Sequence, residues 1–424
     1  VSVALTGKET RVKRVVVTGV GAITPLGIGA AAYWDNLVAG KSGIKWIEAF
    51  DTSAMEVKIG GEVRGFVAKD FMDFKAAKRM ERFAQFAVAA AREAVEDAKF
   101  EVTDANREQV AVVVNTGGGG IPALEADVAS MTLKGPKGVG PLLIPIFAPN
   151  MASCQVSMAL GIHGPSSTSA AACASGVQAF VDAVHMIRRG EADVVLTGGA
   201  EAGLTPVAIT SLTHMTALTK RNDPPEAASR PFDSGRDGFV FSEGAVVMVL
   251  ESEEHALARG ARIICEAVGG AYTSDAYHIT APAPGGRGAA LAMRRTLQWN
   301  GVAPTDVDFV AAHATATSVG DIAETEALKA AFGDHARKLA ISANKSSIGH
   351  LLGAAGAASS LSCVMAIRDQ IVPPTINLTD PDPQCDLDYV PLVARKQRVR
   401  AAIANGFGFG GQNAVTLFRE FTEA

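Results

Sequence analysis

Cys173 has the setting of a reactive group. The segment STSAAACASGVQAF carries it out of a run of small residues into the first turn of an expected amphipathic helix. Val177, Phe180, Val181, Val184 and Ile187 then recur at helical spacing as one apolar stripe, and Gly190 stops the helix after Arg188 and Arg189. A thiol at that end of a helix meets unpaired backbone N–H groups and the positive pole of the macrodipole. Both stabilise a thiolate, lower the thiol pKa and offer donors to a developing oxyanion. The competing reading is a small core hydrophobe, which a free Cys among alanines usually is.

The elements that would hold such a nucleophile form an α/β pattern. β-Branched runs alternate with helical stretches: VVVTGV near residue 15, VAVVVNTG near 110, ADVVLTGG near 195 and AVVMVLE near 245. A similar order returns with DFVAAH ending at His313, a helix from Asp321 to Ala331, the strand LAIS, a buried helix from His350 and closing strands AAIAN and AVTLF. This predicts two α/β halves, residues 1–255 and 256–424, with no shared sequence period to prove duplication. Gly19-Val20-Gly21 follows a strand, but a dinucleotide fingerprint would need its third glycine at Thr24. Gly117 to Gly120 lacks the Lys-Ser/Thr ending of a phosphate loop and any clear helix opening, so close backbone packing or room for a ligand is expected there.

With 424 residues, 48% hydrophobic and 20% charged, the chain is long enough for two domains or one large duplicated unit, with order expected everywhere but in the first dozen residues. A net charge of −5 argues against a nucleic-acid partner. The five cysteines are scattered, with no CxxC pair and no zinc spacing, so neither a disulfide scaffold nor a metal site is expected. VSVALTGKETRVKR has no long apolar stretch to read as a signal, and Leu351 to Ile367 is too weakly hydrophobic for a membrane span. A cytoplasmic protein is the expectation.

The chemistry sharpens when Cys173 is set beside HATATSVGD from His313, NKSSIGHLLGAAG from Asn344 and NGFGFGGQN from Asn405. With these the chain resembles the elongating β-ketoacyl-acyl carrier protein synthases, most closely the type II enzymes of dissociated fatty acid synthesis. The likeness extends through RVVVTGVGAITPLG, RPFDSGRDGFVFSEGA, SDAYHITAP and VPPTINLTDPDP. It implies a five-layered αβαβα thiolase-like fold, a homodimer, and an acyl carrier protein as partner. No tightly bound cofactor is implied, since the substrates arrive on the carrier's phosphopantetheine arm.

The resemblance also assigns roles. Cys173 matches the acyl-accepting nucleophile, His313 and His350 the two histidines of a Cys-His-His triad, and Lys345 the lysine before the second histidine. The backbone N–H groups of Cys173 and Phe409 match the oxyanion donors. Asp321 and Glu324 match supporting acids, for which capping and structural ion pairs are the plainer reading. Thr315 and Thr317 match a pair that bonds the phosphopantetheine arm, His278 is expected near the channel, and Phe407 and Phe409 lie in a glycine-rich gate with Phe409 as the moving ring.

Departures from the family pattern are informative. Ala314 stands where a glycine is usual, which would strain the loop aiming His313 if φ is positive there. Ser359 replaces a common glutamate, and Asn344 a threonine. Gly118 and Leu143 stand where bulky side chains commonly narrow the acyl pocket, so acceptance of medium and long saturated chains is expected unless neighbours fill the space. Lys75, Lys78, Arg79 and Arg82, at helical spacing in FKAAKRMERF, are the first candidates for docking an acidic carrier protein, and Lys220 and Arg221 the second; a solvated face is the plainer reading. The alternatives are a polyketide-type ketosynthase and a non-catalytic chain-length-factor-like subunit, against which Cys173 argues. A thiolase would carry a second reactive Cys near the C-terminus, and an initiating synthase would have Asn in place of His350.

Overall fold

The computed structural model describes residues 13–423, so the expectation for the first dozen residues lies outside them. Ten strands fall into two sets of five. β1 (Val15–Thr24), β2 (Val110–Asn115), β3 (Ser166–Ser167), β4 (Val194–Glu201) and β5 (Gly244–Ser252) pair in the order β3-β2-β4-β5-β1. β6 (Cys265–Ser274), β7 (Phe309–Ala311), β8 (Ala340–Ser342), β9 (Ala401–Gly408) and β10 (Gln412–Arg419) repeat it as β8-β7-β9-β10-β6. In each set the second strand is parallel to the third and fourth, and the fifth is antiparallel to the fourth and first. The sets join where β1 meets β6, Val16 against Glu266 and Val17 against Cys265. The chain is thus duplicated in topology although no sequence period shows it.

The helices repeat as well. α1 (Arg82–Asp97) and α2 (Met151–Leu160) cover the outer face of the first set, and α4 (Arg287–Trp299) and α5 (Gly320–Phe332) that of the second. Between the sets lie α3 (Ser175–Arg189) and α6 (Ala355–Asp369), which touch each other and strands of both sets. This is the expected five-layered αβαβα arrangement. The middle layer explains two compositions. Leu351 to Ile367 is apolar because α6 is buried without a break from Ala355 to Ile367. α3 buries its predicted stripe, but also Ala179, Ala183 and Met186, because it is covered on two faces rather than one. Gly190 ends α3 in the left-handed conformation, φ 73°, its N–H bonded to the Ile187 carbonyl. Among the described residues no helix is long and apolar enough to cross a membrane.

Three sequence readings are corrected. Gly19 and Gly21 lie inside β1, not after it: a Cβ there would stand 2.2 Å from the Ala94 carbonyl and 2.1 Å from that of Ala90, so they let α1 approach the strand. Gly117 to Gly120 does open a helix, Ile121–Lys134, with Pro122 in its first turn. β6 escaped the pattern because Gly269 and Gly270 interrupt its apolar run at a register shift beside Leu417 and Phe418.

Candidate active site

The middle layer and the strand ends of both sets converge on Cys173. The residue sits in a single 3₁₀ turn, Ala172–Ala174, just ahead of α3, and is 6% exposed. The turn is pinned from the first set: Asn115 at the end of β2 donates to the Ser175 carbonyl, and Ser175 Oγ accepts the Ala171 N–H. Ala172 is held at φ 47°, a strained conformation for a residue with a Cβ. The second set supplies the hairpin between β9 and β10, whose turn points the Phe409 N–H at the Cys173 sulfur beside the N–H of Cys173 itself. Both N–H groups therefore favour a charged sulfur.

The acidity of that thiol differs from the helix-end expectation. Burial pushes it up to about 11, against the opposing pull of the Lys345 cation and the Phe409 N–H. The resting group is a thiol, and its proton must leave as it attacks.

His313 follows β7 and His350 follows the short helix Lys345–Ile348; their rings meet edge to face, centroids 5.5 Å apart at 83°. His350 is 1% exposed, its backbone N–H bonds the Val240 carbonyl, and Phe239 stands edge-on to its ring at 5.0 Å. Neither of its ring nitrogens has a partner among the described residues, which leaves them free for a ligand. Burial, followed by the nearby Lys345 cation, holds both imidazoles well below 6.5, so they are neutral at pH 7. Lys345 is itself 2% exposed, and burial brings it down to about 8 against the carboxylates of Glu324 and Asp321 and the Cys173 thiol.

The two acids on α5 act through the backbone. Glu324 accepts the N–H groups of His313 and Ala314 at 2.9 and 2.7 Å and the Asn405 amide at 2.8 Å. Asp321 accepts from Ala316 and Phe232, with Arg236 at 3.8 Å. Burial pushes the Asp321 carboxyl up to about 7. They fasten the loop that aims His313, a role between capping and catalysis. That loop is strained as expected: Ala314 has φ 27° and Ala316 φ 63°.

A cavity of about 260 Å³ gathers Cys173, His313, His350, Thr315, Thr317, Phe407 and Phe409 on its walls. Phe407 stands against the His313 ring at 5.5 Å. Thr317 Oγ1 also accepts the Gly320 N–H, so the turn role and the lining role coincide. His278 is exposed and does not line the cavity; its Nδ1 accepts the N–H groups of Thr280 and Ala281 at the cavity mouth. Gly118 and Leu143 do not line it either. A Cβ at Gly118 would stand 2.6 Å from Ile121 Cδ1, so the Ile121 side chain has taken the space a larger residue would fill.

The basic candidates separate. The helix at Lys75 covers only Phe74–Ala77, and α1 starts anew at Arg82, so the four cations share no face. Arg82 turns inward to Glu243 and the Val63 carbonyl, whereas Lys75, Lys78 and Arg79 are exposed. Lys220 pairs with Glu56, and Arg221 reaches the Gly235 carbonyl at 3.4 Å. The other departures are now explained in part. Asn344 donates to the Tyr33 hydroxyl in a buried network with Ser362, while Ser359 Oγ is buried without a partner among the described residues. Sequence reasoning missed Phe239, visible only as a member of a longer motif, and Glu201, a lone acid at a strand end with no spacing signal.

Residues 12–256 match the family described as "Beta-ketoacyl synthase, N-terminal domain" and residues 264–379 the one described as "Beta-ketoacyl synthase, C-terminal domain". The chain belongs to the beta-ketoacyl synthase family. Within that family, a 3-oxoacyl-[acyl-carrier-protein] synthase 2 of Synechocystis is 46% identical over 96% of this chain and 98% of its own length. A solved ishigamide ketosynthase/chain length factor superposes with a TM-score of 0.91 at 35% identity, covering 97% of this chain and 100% of that one. A type II polyketide ketosynthase, solved in complex with its acyl-carrier protein and bound to a hexaketide, superposes with 0.90 at 32% identity, with the same coverage.

Proposed function

We propose that the protein is a β-ketoacyl-acyl carrier protein synthase II, an acyltransferase that elongates acyl chains by decarboxylative condensation with malonyl units. The observation that carries this is one cavity lined by two neutral imidazoles, with unpartnered nitrogens on His350, and by a thiol whose charged form two backbone N–H groups favour. In the first half-reaction Cys173 Sγ attacks the carbonyl of an acyl thioester. The Cys173 and Phe409 N–H groups hold the tetrahedral oxygen, and the thiol proton goes to the departing carrier thiolate. In the second, a malonyl thioester loses CO₂, and its electron pair becomes an enolate whose oxygen receives hydrogen bonds from His313 and His350. The enolate carbon attacks the acyl-cysteine, a C–C bond forms, the C–S bond breaks and the Cys173 thiolate takes up a proton from water. Neutral histidines suit this role because each must donate a hydrogen bond without giving away its proton. Oxyanion donors of this kind contribute roughly 3–4 kcal/mol apiece where they have been removed one at a time.

The solved carrier-protein complex of a relative supports an acyl carrier protein as partner, with substrates carried on its phosphopantetheine arm past Thr315 and Thr317. Lys75, Lys78 and Arg79 fit the docking of an acidic partner. Reversing the charge of Lys78 and Arg79 together should raise KM for carrier-linked substrates about tenfold and leave small thioesters unchanged; equal effects on both would count against docking there. A homodimer is supported by an exposed apolar surface on and beside the helix Ile121–Lys134, where Leu124, Val128, Met131, Leu133 and Ile144 face outward, and by the open sheet edge at β3. The reading needs no tightly bound cofactor and suits a cytoplasmic protein.

The deciding experiment is intact-protein mass after incubation with acyl-carrier thioesters of increasing length, with Cys173→Ser alongside. One acyl adduct, absent from the variant and discharged by malonyl-carrier protein, is expected. No adduct at any length from folded protein would favour a non-catalytic subunit. Discharge only of β-keto-bearing chains would favour a polyketide-type ketosynthase, as is the solved relative bound to a hexaketide.

A further inference from the structure

Glu201 ends β4 behind Cys173, is 1% exposed, and has no part in the steps above. Its carboxylate is held by donors from two separate segments. Oε2 accepts the Gly117 N–H at 2.8 Å and the Gly353 N–H at 3.0 Å; Oε1 accepts the Gly118 N–H at 3.2 Å and the Thr116 hydroxyl at 3.3 Å. Thr116 to Gly118 continue β2, whose Asn115 pins the Cys173 turn through the Ser175 carbonyl. Gly353 lies three residues after His350, in the turn Leu352–Ala354 that leads into α6. The contact is close enough to demand glycine: a Cβ on Gly353 would stand 2.2 Å from the Gly117 nitrogen and 2.7 Å from Glu201 Oε2. Leu352, next to it, is held at φ 43°. A loop of the first half and a strained turn of the second therefore meet backbone to backbone and are joined there by one buried carboxylate, which is an expensive group to bury unless its oxygens are fully occupied.

We propose that Glu201 is a positioning residue for the condensation, tying the loop Thr116–Gly118, which is linked to the Cys173 turn through Asn115, to the turn that follows His350, so that thiol and imidazole keep one mutual placement. The inference rests on the condensing reading above. Glu201 bonds the His350 side directly, through Gly353, and the Cys173 side through Thr116, Asn115 and Ser175, so the two half-reactions depend on it unequally. A glutamine keeps the shape but turns an N–H₂ toward N–H donors at one of the two oxygen sites, which breaks the tie on that side.

The test is single-turnover kinetics of Glu201→Gln, following acylation of Cys173 by intact mass and then discharge by malonyl-carrier protein. Discharge should slow at least tenfold and acylation less than threefold, with KM for both carrier substrates within twofold and the melting temperature nearly unchanged. A merely structural residue would depress both steps together with the folded fraction, and that result, or discharge within twofold of the unaltered protein, would overturn the proposal. Should Glu201→Gln fail to fold, hydrogen exchange of the unaltered protein decides. On acylation, peptides spanning 116–120 and 351–356 should change protection by matching factors; a change in one segment alone, or in neither, overturns the tie. An unaltered protein that forms no acyl adduct sinks the condensing reading and this inference with it, whereas an active protein indifferent to Glu201→Gln sinks the inference alone.

Discussion

The acidity of Cys173 is decided by burial and by the Lys345 cation rather than by the helix it precedes. Burial raises the thiol and the Lys345 cation draws it back, so the sulfur is held ready without being a standing thiolate open to oxidation. Alkylation of Cys173 by iodoacetamide should therefore keep accelerating up to pH 10 instead of levelling off near neutrality. Replacing the cation by an isosteric apolar chain in Lys345→Met removes a group that favours the charged sulfur. The rate at pH 7, where Lys345 still carries its proton, should then fall by a factor on the order of three to ten, the equivalent of half to one unit in pKa. A plateau below pH 8 in the unaltered protein would contradict the burial argument.

At the scale of elements, strain gathers in the short connections that leave the strands and lead into α3, α5 and α6. Ala172, Ala314, Ala316 and Leu352 all carry positive φ, and each lies within two residues of Cys173, of His350 or of the loop from His313 to Thr317. Glu324 and Asp321 hold the second of these loops through backbone N–H groups, which is how a strained loop stays in place. Ala314→Gly removes a Cβ from a conformation that costs a non-glycine residue about 1 kcal/mol. The variant should unfold at higher denaturant concentration, with a small loss of kcat if the stiffer alanine helps aim His313; lower stability would refute the strain reading. Beside Gly118, outside the described cavity, the helix beginning at Ile121 is the expected floor of the acyl pocket. With Ile121 filling the space beside Gly118, Ile121→Ala should extend the longest chain that acylates Cys173 by several carbons, read from the mass series; an unchanged limit would place the pocket floor elsewhere.

For the whole molecule, the duplication explains why one site draws on both halves. α3 and α6 occupy matching places and meet in the middle layer, so the nucleophile ahead of one and the histidine ahead of the other are brought face to face by the same connection used twice. Convergence has a cost in buried charge that shows in the pH dependence of stability. Glu201 and Asp321 are raised to about 7, so between their ordinary values and pH 7 the folded state keeps protons that the unfolded state has lost, and stability falls as pH rises through that window. His313 and His350 are depressed, so below 6.5 the unfolded state takes protons that the folded state refuses, and stability falls as the pH drops. The melting temperature should pass through a maximum near pH 5.5, where the two effects balance, and decline from there to about pH 7.5. Glu201→Gln should flatten the alkaline side, and a stability still rising from about 5.5 to 7.5 would refute the assignment.

The α/β alternation was legible in the chain, as were Cys173, His313, His350 and Phe409, which the fold gathers around one cavity, because strand and helix periodicities and long local motifs are properties of neighbouring residues. Other features depend on residues far apart in sequence. Nothing local to Arg82 shows that it turns inward to Glu243, or that Ile121 fills the space beside Gly118. A thiol's acidity depends on everything that excludes water from it, so Cys173 among small residues suggested a thiolate while the assembled core raised its pKa. β6 was lost where Gly269 and Gly270 erase the apolar run, and the duplicated topology survives without any period because sheet order is kept by packing rather than by residue identity. Glu201 is the clearest case: an isolated acid in LTGGAE has no partner within reach along the chain, and only folding brings Gly117, Gly118 and Gly353 around it. The chain by itself determined which groups can do the chemistry. Their protonation, their spacing and the clamps that hold them were decided by tertiary structure, since burial and closure over sequence separations of 140 and 177, from Cys173 to His313 and to His350, are set by packing and not by any local rule.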